Sequence, residues 1–140
     1  QVFAGDMRDL PRGDAAAIYR RLYWAKPRFD AVATRAPALA AEMFDTGINM
    51  GTGTATGFLQ RALNALNREG KDYPDLTVDR QIGAATIAAL DAFLAKRGKA
   101  AESVLLKAVE ALQGAHYLHI AEARPSQEAF VYGWLANRIG

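Results

Sequence analysis

The sequence predicts a single all-α domain of about six helices. Apolar residues recur at helical spacing through most of the chain, each run but the last stops at a glycine or proline, and no run alternates apolar with polar residues over the length of a strand. At 140 residues and 51% hydrophobic, the chain can bury one core of its own.

The first helix lies in "GDAAAIYRRLYW", with Asp14 as candidate N-cap and Ala15, Ile18, Tyr19 and Leu22 in phase. Pro27 stops it, and "KPRFDAVATRAP" reads as a connection. Pro37 suits the first position of the second helix, whose stripe is Ala40, Met43, Phe44, Gly47 and Ile48. Thr54 is the candidate cap of the third, which carries Phe58, Leu59, Ala62, Leu63 and Leu66 on one face and meets a stop at Gly70.

"KDYPDLTVDRQIG" is polar and turn-rich, a structured loop anchored by Val78 and Ile82. The fourth helix, "AATIAALDAFLAKRG", turns Ile87, Leu90 and Leu94 inward and ends at Gly98. A long fifth helix holds Val104, Leu105, Ala108, Val109 and Leu112 in phase until Pro125 breaks it. Ser126 caps the last, "QEAFVYGWLANRI", where Phe130 and Trp134 stand one turn apart. The chain has no internal repeat and no low-complexity tract.

Charge and composition narrow the function. Seventeen Lys and Arg against fifteen Asp and Glu give +2, scattered rather than gathered on one stripe, so a nucleic-acid partner is not expected. A polyanionic surface such as a bacterial cell wall suits that balance. The chain has no cysteine, which excludes disulfides, thiolate catalysis and cysteine zinc sites. No apolar stretch is long enough to span a bilayer and no basic-then-apolar signal segment opens the chain, so it reads as soluble. The first residue is Gln1 rather than Met, and a processed or trimmed form is the expectation.

"INMGTGTATGFLQRAL" raises the question of a phosphate-cradling glycine loop. A dinucleotide fingerprint needs a buried strand before the glycines, and here helical runs flank them on both sides. The glycines read instead as a tight helix–turn–helix corner, Gly51 and Gly53 taking positive φ or admitting close backbone approach.

Glu42, Asp45 and Asn49 fall at i, i+3 and i+7, one stripe running to that corner. A carboxylate row beside a cleft is what glycosidic hydrolysis would use, although spacing alone favours a solvated helix face. His116, His119 and Glu122 share a helix face but do not form the H-E-x-x-H pattern, and no metal site is assigned. Asp72, Asp75 and Asp79 miss the register of a calcium loop. No cofactor is expected. Tyr23, Trp24, Tyr132 and Trp134 offer ring faces on which sugars stack, while aromatic residues at helical spacing more commonly pack in a core.

In order and spacing, "AIYRRLYW", "EMFDTGINMGTGTATGFLQRALNALN", "DLTVDRQIGAATIAALDAFL" and "HYLHIAEARPSQEAFVYGWLANRI" resemble the family 108 glycoside hydrolases, bacterial and phage N-acetylmuramidases with a C-terminal peptidoglycan-binding segment. The resemblance covers nearly the whole chain. It implies a lysozyme-like helical fold in which residues 1–70 are the end of the muramidase region and 71–140 a peptidoglycan-binding segment packed on it as one globular unit. "VDRQIGAAT" stands where relatives tend to have D-G-x-I-G-P-x-T, with Arg80 and Ala84 departing from that pattern.

"FDTGINMGTG" resembles the F-N-V-G-x-G corner that borders the sugar cleft of phage lysozymes. On that resemblance Asp45, Asn49, Gly51 and Gly53, with Tyr23 and Trp24, are the candidate substrate-binding residues, and peptidoglycan glycan strands are the partner. The family's proposed catalytic glutamate lies in a segment resembling E-G-G followed by D-x-G-G-x-T-x-x-G-I, which this chain lacks; it is expected upstream of Gln1. The catalytic residue within the chain is therefore unassigned. The expected activity is cleavage of the β-1,4 bond of the wall glycan in phage lysis or wall remodelling, by a monomer acting at the periplasmic cell wall. A non-catalytic peptidoglycan-binding module and a helical interaction domain without sugar affinity are the alternatives.

Overall fold

A computed structural model describes residues 12–138, and side chains within 15–137. Gln1 and Ile139 lie outside the described residues. Among the described residues, every regular element is a helix and none is a strand. The six expected helices are α1 (Arg12–Arg20), α3 (Pro37–Met50), α4 (Thr52–Ala65), α5 (Ala84–Arg97), α6 (Ala101–Ala123) and α7 (Glu128–Arg138).

A further helix, α2 (Phe29–Ala33), occupies the segment that reads as a connection. It is only five residues long, too short to show a period, yet Phe29 and Val32 are wholly buried. Arg28 precedes it at φ 67°, a left-handed turn that reverses the chain and that no apolar pattern encodes. Its guanidinium Nη1 donates to the Ile82 carbonyl at 3.2 Å, tying this turn to the distant loop.

Several helix starts differ from expectation. α1 is already helical at Arg12, so Asp14 lies inside it, and the Asp14 side chain falls outside the described ones. α4 begins at Thr52 with Gly51 at its N-cap, which leaves Thr54 inside the helix. Ser126 sits in a 3₁₀ turn, Pro125–Gln127, that precedes α7. At the other end α4 stops at Ala65, ahead of Gly70, and Arg97 Nη2 satisfies the orphaned Leu66 carbonyl at 2.9 Å. Glu102 of α6 supplies the N-terminus of α3, accepting from Ala38 N at 2.8 Å and Leu39 N at 3.3 Å. Helix ends in this chain are capped from neighbouring helices, which local sequence does not reveal.

One hydrophobic cluster runs from Phe29 through Met43, Leu59, Leu63, Leu90, Phe93 and Leu105 to Val109. α3 and α4 form its centre, with α6 laid across both and α5 closing one side. Gly47 sets how closely α3 and α4 approach: a Cβ there would stand 3.1 Å from Thr52 Cγ2. A smaller cluster, Tyr117, Val131 and Trp134, fastens α7 to α6, with the Tyr117 and Trp134 rings 4.4 Å apart. Trp134 thus belongs to packing, whereas Tyr132 is 77% exposed.

The loop from Lys71 to Gly83 is held by amides on and just past α4. Gln60 Nε2 donates to Asp79 Oδ1 at 2.9 Å and to the Gln81 carbonyl at 3.0 Å, while Gln60 Oε1 accepts from Arg80 N at 2.9 Å. Asn64 clasps Leu76 through both its N–H and carbonyl, and Asn67 does the same for Tyr73. These amides stand at i, i+4 and i+7, so one helix face meets three successive points of the loop. The apolar anchors are Tyr73, Leu76 and Ile82; Val78 is 43% exposed, contrary to its expected anchoring role. Burial pushes the Tyr73 phenol up to about 12, and its hydroxyl donates to the Leu63 carbonyl at 2.7 Å.

Candidate functional site

The polar stripe of α3 faces solvent. Asp45, Ile48 and Asn49 are exposed, Glu42 is half-buried, and Met43, Thr46 and Gly47 take the buried side. Thr46 is held by Gln113 of α6, whose Nε2 donates to its hydroxyl. This fixes the roll of α3 and with it the outward aim of Asp45 and Asn49.

A cleft lies at each end of that stripe. The first, about 600 Å³, is lined by Tyr19, Arg20, Trp24, Ala41, Phe44 and Asp45. Trp24 reaches it because Arg21–Ala25 is a π-helical turn, closed by Lys26 N donating to the Arg21 carbonyl at 2.9 Å. The wider turn advances the register of the residues that follow α1 and sets the Trp24 ring edge-on to Phe44, 5.7 Å between centroids at 82°. Tyr23 is half-buried, its ring 5.6 Å from that of Tyr19.

The second cleft, about 520 Å³, lies between the end of α3 and the junction of α6 with α7. Asn49 and Met50 form one wall; His116, His119, Arg124 and Phe130 stand among the residues opposite. The structure therefore divides the expected substrate residues: Asp45 and Trp24 share one cleft, and Asn49 belongs to the other. His116 packs edge-on to Phe58, and its pKa is lowered first by burial and then by His119 and Arg80. From sequence these histidines suggest a metal ligand pair or, more simply, surface or core residues; the signal that points to a cationic cleft is Arg124, which follows them at the C-cap of α6.

The corner that ends α3, beside the second cleft, is Gly51 alone, at φ 97°. Gly53 is an ordinary helical residue of α4, and its contribution is the absence of a side chain: Arg80 Cβ and Cδ lie 3.7 Å from where a Gly53 Cβ would be, and Arg80 Cγ 3.5 Å from that of Gly57. Arg80 itself has φ 65°. This is the position at which D-G-x-I-G-P-x-T has its glycine, and the left-handed backbone is the physical reason for one. The motif's proline corresponds to Ala84, the first residue of α5, where a missing N–H costs nothing.

Asp72, Asp75 and Asp79 each take a protein partner. Asp72 accepts from Arg68 Nε at 2.7 Å, Asp75 from Asn67 Nδ2 at 2.7 Å, and Asp79 from Gln60 and Gln81. Those bonds hold the Asp72 and Asp79 carboxyls below the usual carboxylate range, through Arg68 and Gln60 respectively.

An all-helical body with an exposed polar stripe between two sugar-sized clefts defines the class as a candidate polysaccharide-binding domain. Over residues 54–139 the chain matches the family described as a predicted peptidoglycan domain, and over residues 1–51 it matches part of glycosyl hydrolase family 108. The chain belongs to the predicted peptidoglycan domain family, joined to a family 108 segment as the resemblance implied. The two matches meet at the Gly51 corner. No curated protein matches the chain. Its function is peptidoglycan-related and is exercised at the cell wall, and no helix among the described residues is long and apolar enough to cross a membrane.

Proposed function

We propose that this chain is part of an N-acetylmuramidase of endolysin type that cuts the β-1,4 bond between N-acetylmuramic acid and N-acetylglucosamine. The observation that carries the reading is the exposed Asp45–Asn49 stripe of α3 running between an aromatic cleft and a cationic one. A glycan strand laid along α3 would meet Trp24 and Asp45 with one sugar and Asn49 with another; residues 1–70 and 71–140 then act as one unit. Beyond Asn49, the exposed Gly51 corner carries no side chain to obstruct the strand where it leaves α3.

Neither Glu42 nor Asp45 is assigned as the general acid. That role falls to a glutamate in a segment preceding Gln1 in the intact protein, as the family resemblance implies. The test incubates this chain, and a longer form carrying that segment, with purified bacterial sacculi. Both should co-sediment with the wall as monomers, and only the longer form should release reducing ends. Reducing ends from neither form would overturn the muramidase reading, and a chain that stays in the supernatant would overturn the binding surface as well.

A further inference from the structure

The second cleft has a chemical character that the proposed glycan binding does not by itself require. Its lining includes His116 and His119 from the last turns of α6, Arg124 at its C-cap, the Asn49 and Gln127 amides and the half-exposed Phe130 ring, and among the described residues it includes no carboxylate. Arg80 stands outside that lining, laid against Gly57 next to the Phe58 whose ring packs on His116, and its charge reaches that imidazole. Among the described residues, neither Arg80 nor Arg124 takes part in an ion pair, and none of the Asn49, His116, His119, Arg124 and Gln127 side chains makes a hydrogen bond within the chain. Glu122 and Glu128 stand nearby on α6 and at the start of α7, but both are exposed and outside the lining.

Arg80 is held there at a conformational cost. Its backbone lies in the left-handed region, and its side chain is laid along the face that Gly53 and Gly57 leave open. A glycine would relieve the backbone and still allow Gln60 to accept from N–H 80. The charged side chain is thus kept against α4, next to the Phe58 that packs on His116, by a turn that does not favour it.

We infer that the cleft between Asn49, His116 and Arg124, within reach of the Arg80 charge, is a carboxylate-reading subsite that binds the acidic groups of peptidoglycan. The inference rests on the proposed wall-binding surface and specifies what it reads. Guanidinium groups pair with carboxylates in a bidentate fashion, the amides suit an N-acetyl group, and Phe130 offers a ring face to the sugar or lactyl methyl. The acidic group has two sources in the wall: the muramyl lactyl carboxylate, free once the stem peptide is removed, or the carboxylates of the stem peptide itself.

The test is co-sedimentation of the chain with three insoluble polymers at low and moderate salt. These are intact sacculi, sacculi stripped of stem peptides by an amidase, and chitin, a neutral polymer of N-acetylglucosamine. Binding to sacculi should exceed binding to chitin, should weaken with salt, and should fall about fivefold or more in Arg80→Gln/Arg124→Gln. Stripped sacculi that bind more tightly than intact ones identify the lactyl group, whose carboxylate stripping frees; loss on stripping identifies the peptide, and equal binding shows that either carboxylate is read. Arg80→Gly supplies the control for folding, since it should melt higher than the parent while binding sacculi less tightly. Equal binding to chitin and sacculi, or arginine variants that bind sacculi like the parent, would overturn the subsite and leave the wall-binding surface standing. No binding to any polymer would overturn both.

Discussion

Gln60, Asn64 and Asn67 each end on the loop from Lys71 to Gly83 through two or more hydrogen bonds, whereas Asn49, His119, Arg124 and Gln127 in the second cleft face outward without a side-chain partner among the described residues. From sequence the loop is the more suggestive region, with three aspartates in thirteen residues, and the cleft the blander one. The structure reverses that order. Polar groups already satisfied inside the fold stabilise it; polar groups left facing a cavity are available to a ligand.

The sharpest way to break this comparison is Asn67→Ala. Asn67 is fully buried and holds Tyr73 O at 2.6 Å, Asp75 at 2.7 Å and Tyr73 N at 3.1 Å. Truncation strands the Tyr73 amide groups, and urea denaturation should show a loss of about 2–4 kcal/mol. A loss below about 1 kcal/mol would mean that the loop is solvated rather than pinned.

On the ligand side the expected effect is smaller in energy and different in kind. Trp24→Leu keeps apolar bulk against Phe44 while removing a broad ring face, and sacculus binding should weaken about threefold to tenfold. Asn49→Ala should leave the urea midpoint nearly unchanged and reduce binding severalfold, because the side chain is exposed. An Asn49→Ala protein that loses stability and keeps full affinity would place that residue with Asn67 instead.

Helices α3 to α7 were legible because their apolar stripes run over two or more turns, enough for a helical period to stand out. α2 was not, since its burial depends on a left-handed Arg28 rather than on a pattern. The amide row at 60, 64 and 67 was open to reading: polar residues recurring at helical spacing beside a polar loop imply a loop docked on that face. Of the site, the outward aim of Asp45 and Asn49 followed from spacing, but their division between two clefts did not. That depends on a π-helical turn that moves Trp24 and on a cluster around Tyr117 that seats α7. Neither leaves a local signature.

Within the loop region itself, Ala84→Pro should sharpen the contrast by a smaller step. Ala84 is the first residue of α5, and Gly83 before it is extended at φ −105° and ψ −169°, as a following proline requires. The unfolded chain loses freedom while the folded one gives up nothing, so stability should rise by about 0.4–1 kcal/mol with sacculus binding unchanged. A fall in stability would show that the N–H of residue 84 is needed.

The smallest effect, and the one that connects the two regions, is the response to mild acid. Burial, then His119 on the same helix, then Arg80 from the loop lower the His116 pKa, with Phe58 of α4 packed against its ring. A histidine whose folded pKa lies below its unfolded value gives stability that is complete above the unfolded pKa and is lost as pH falls toward the folded one. Melting temperature should therefore decline as pH is lowered from about 7 through the histidine range, before the Asp72 and Asp79 carboxyls, held below the usual carboxylate range by Arg68 and Gln60, begin to titrate. His116→Gln should flatten the first decline and leave the second. Arg80→Gly should flatten it partly, by removing one of the charges that disfavours the imidazolium. A first decline of full size in both variants would show that the burial of His116 and the charge of Arg80 do not act on each other.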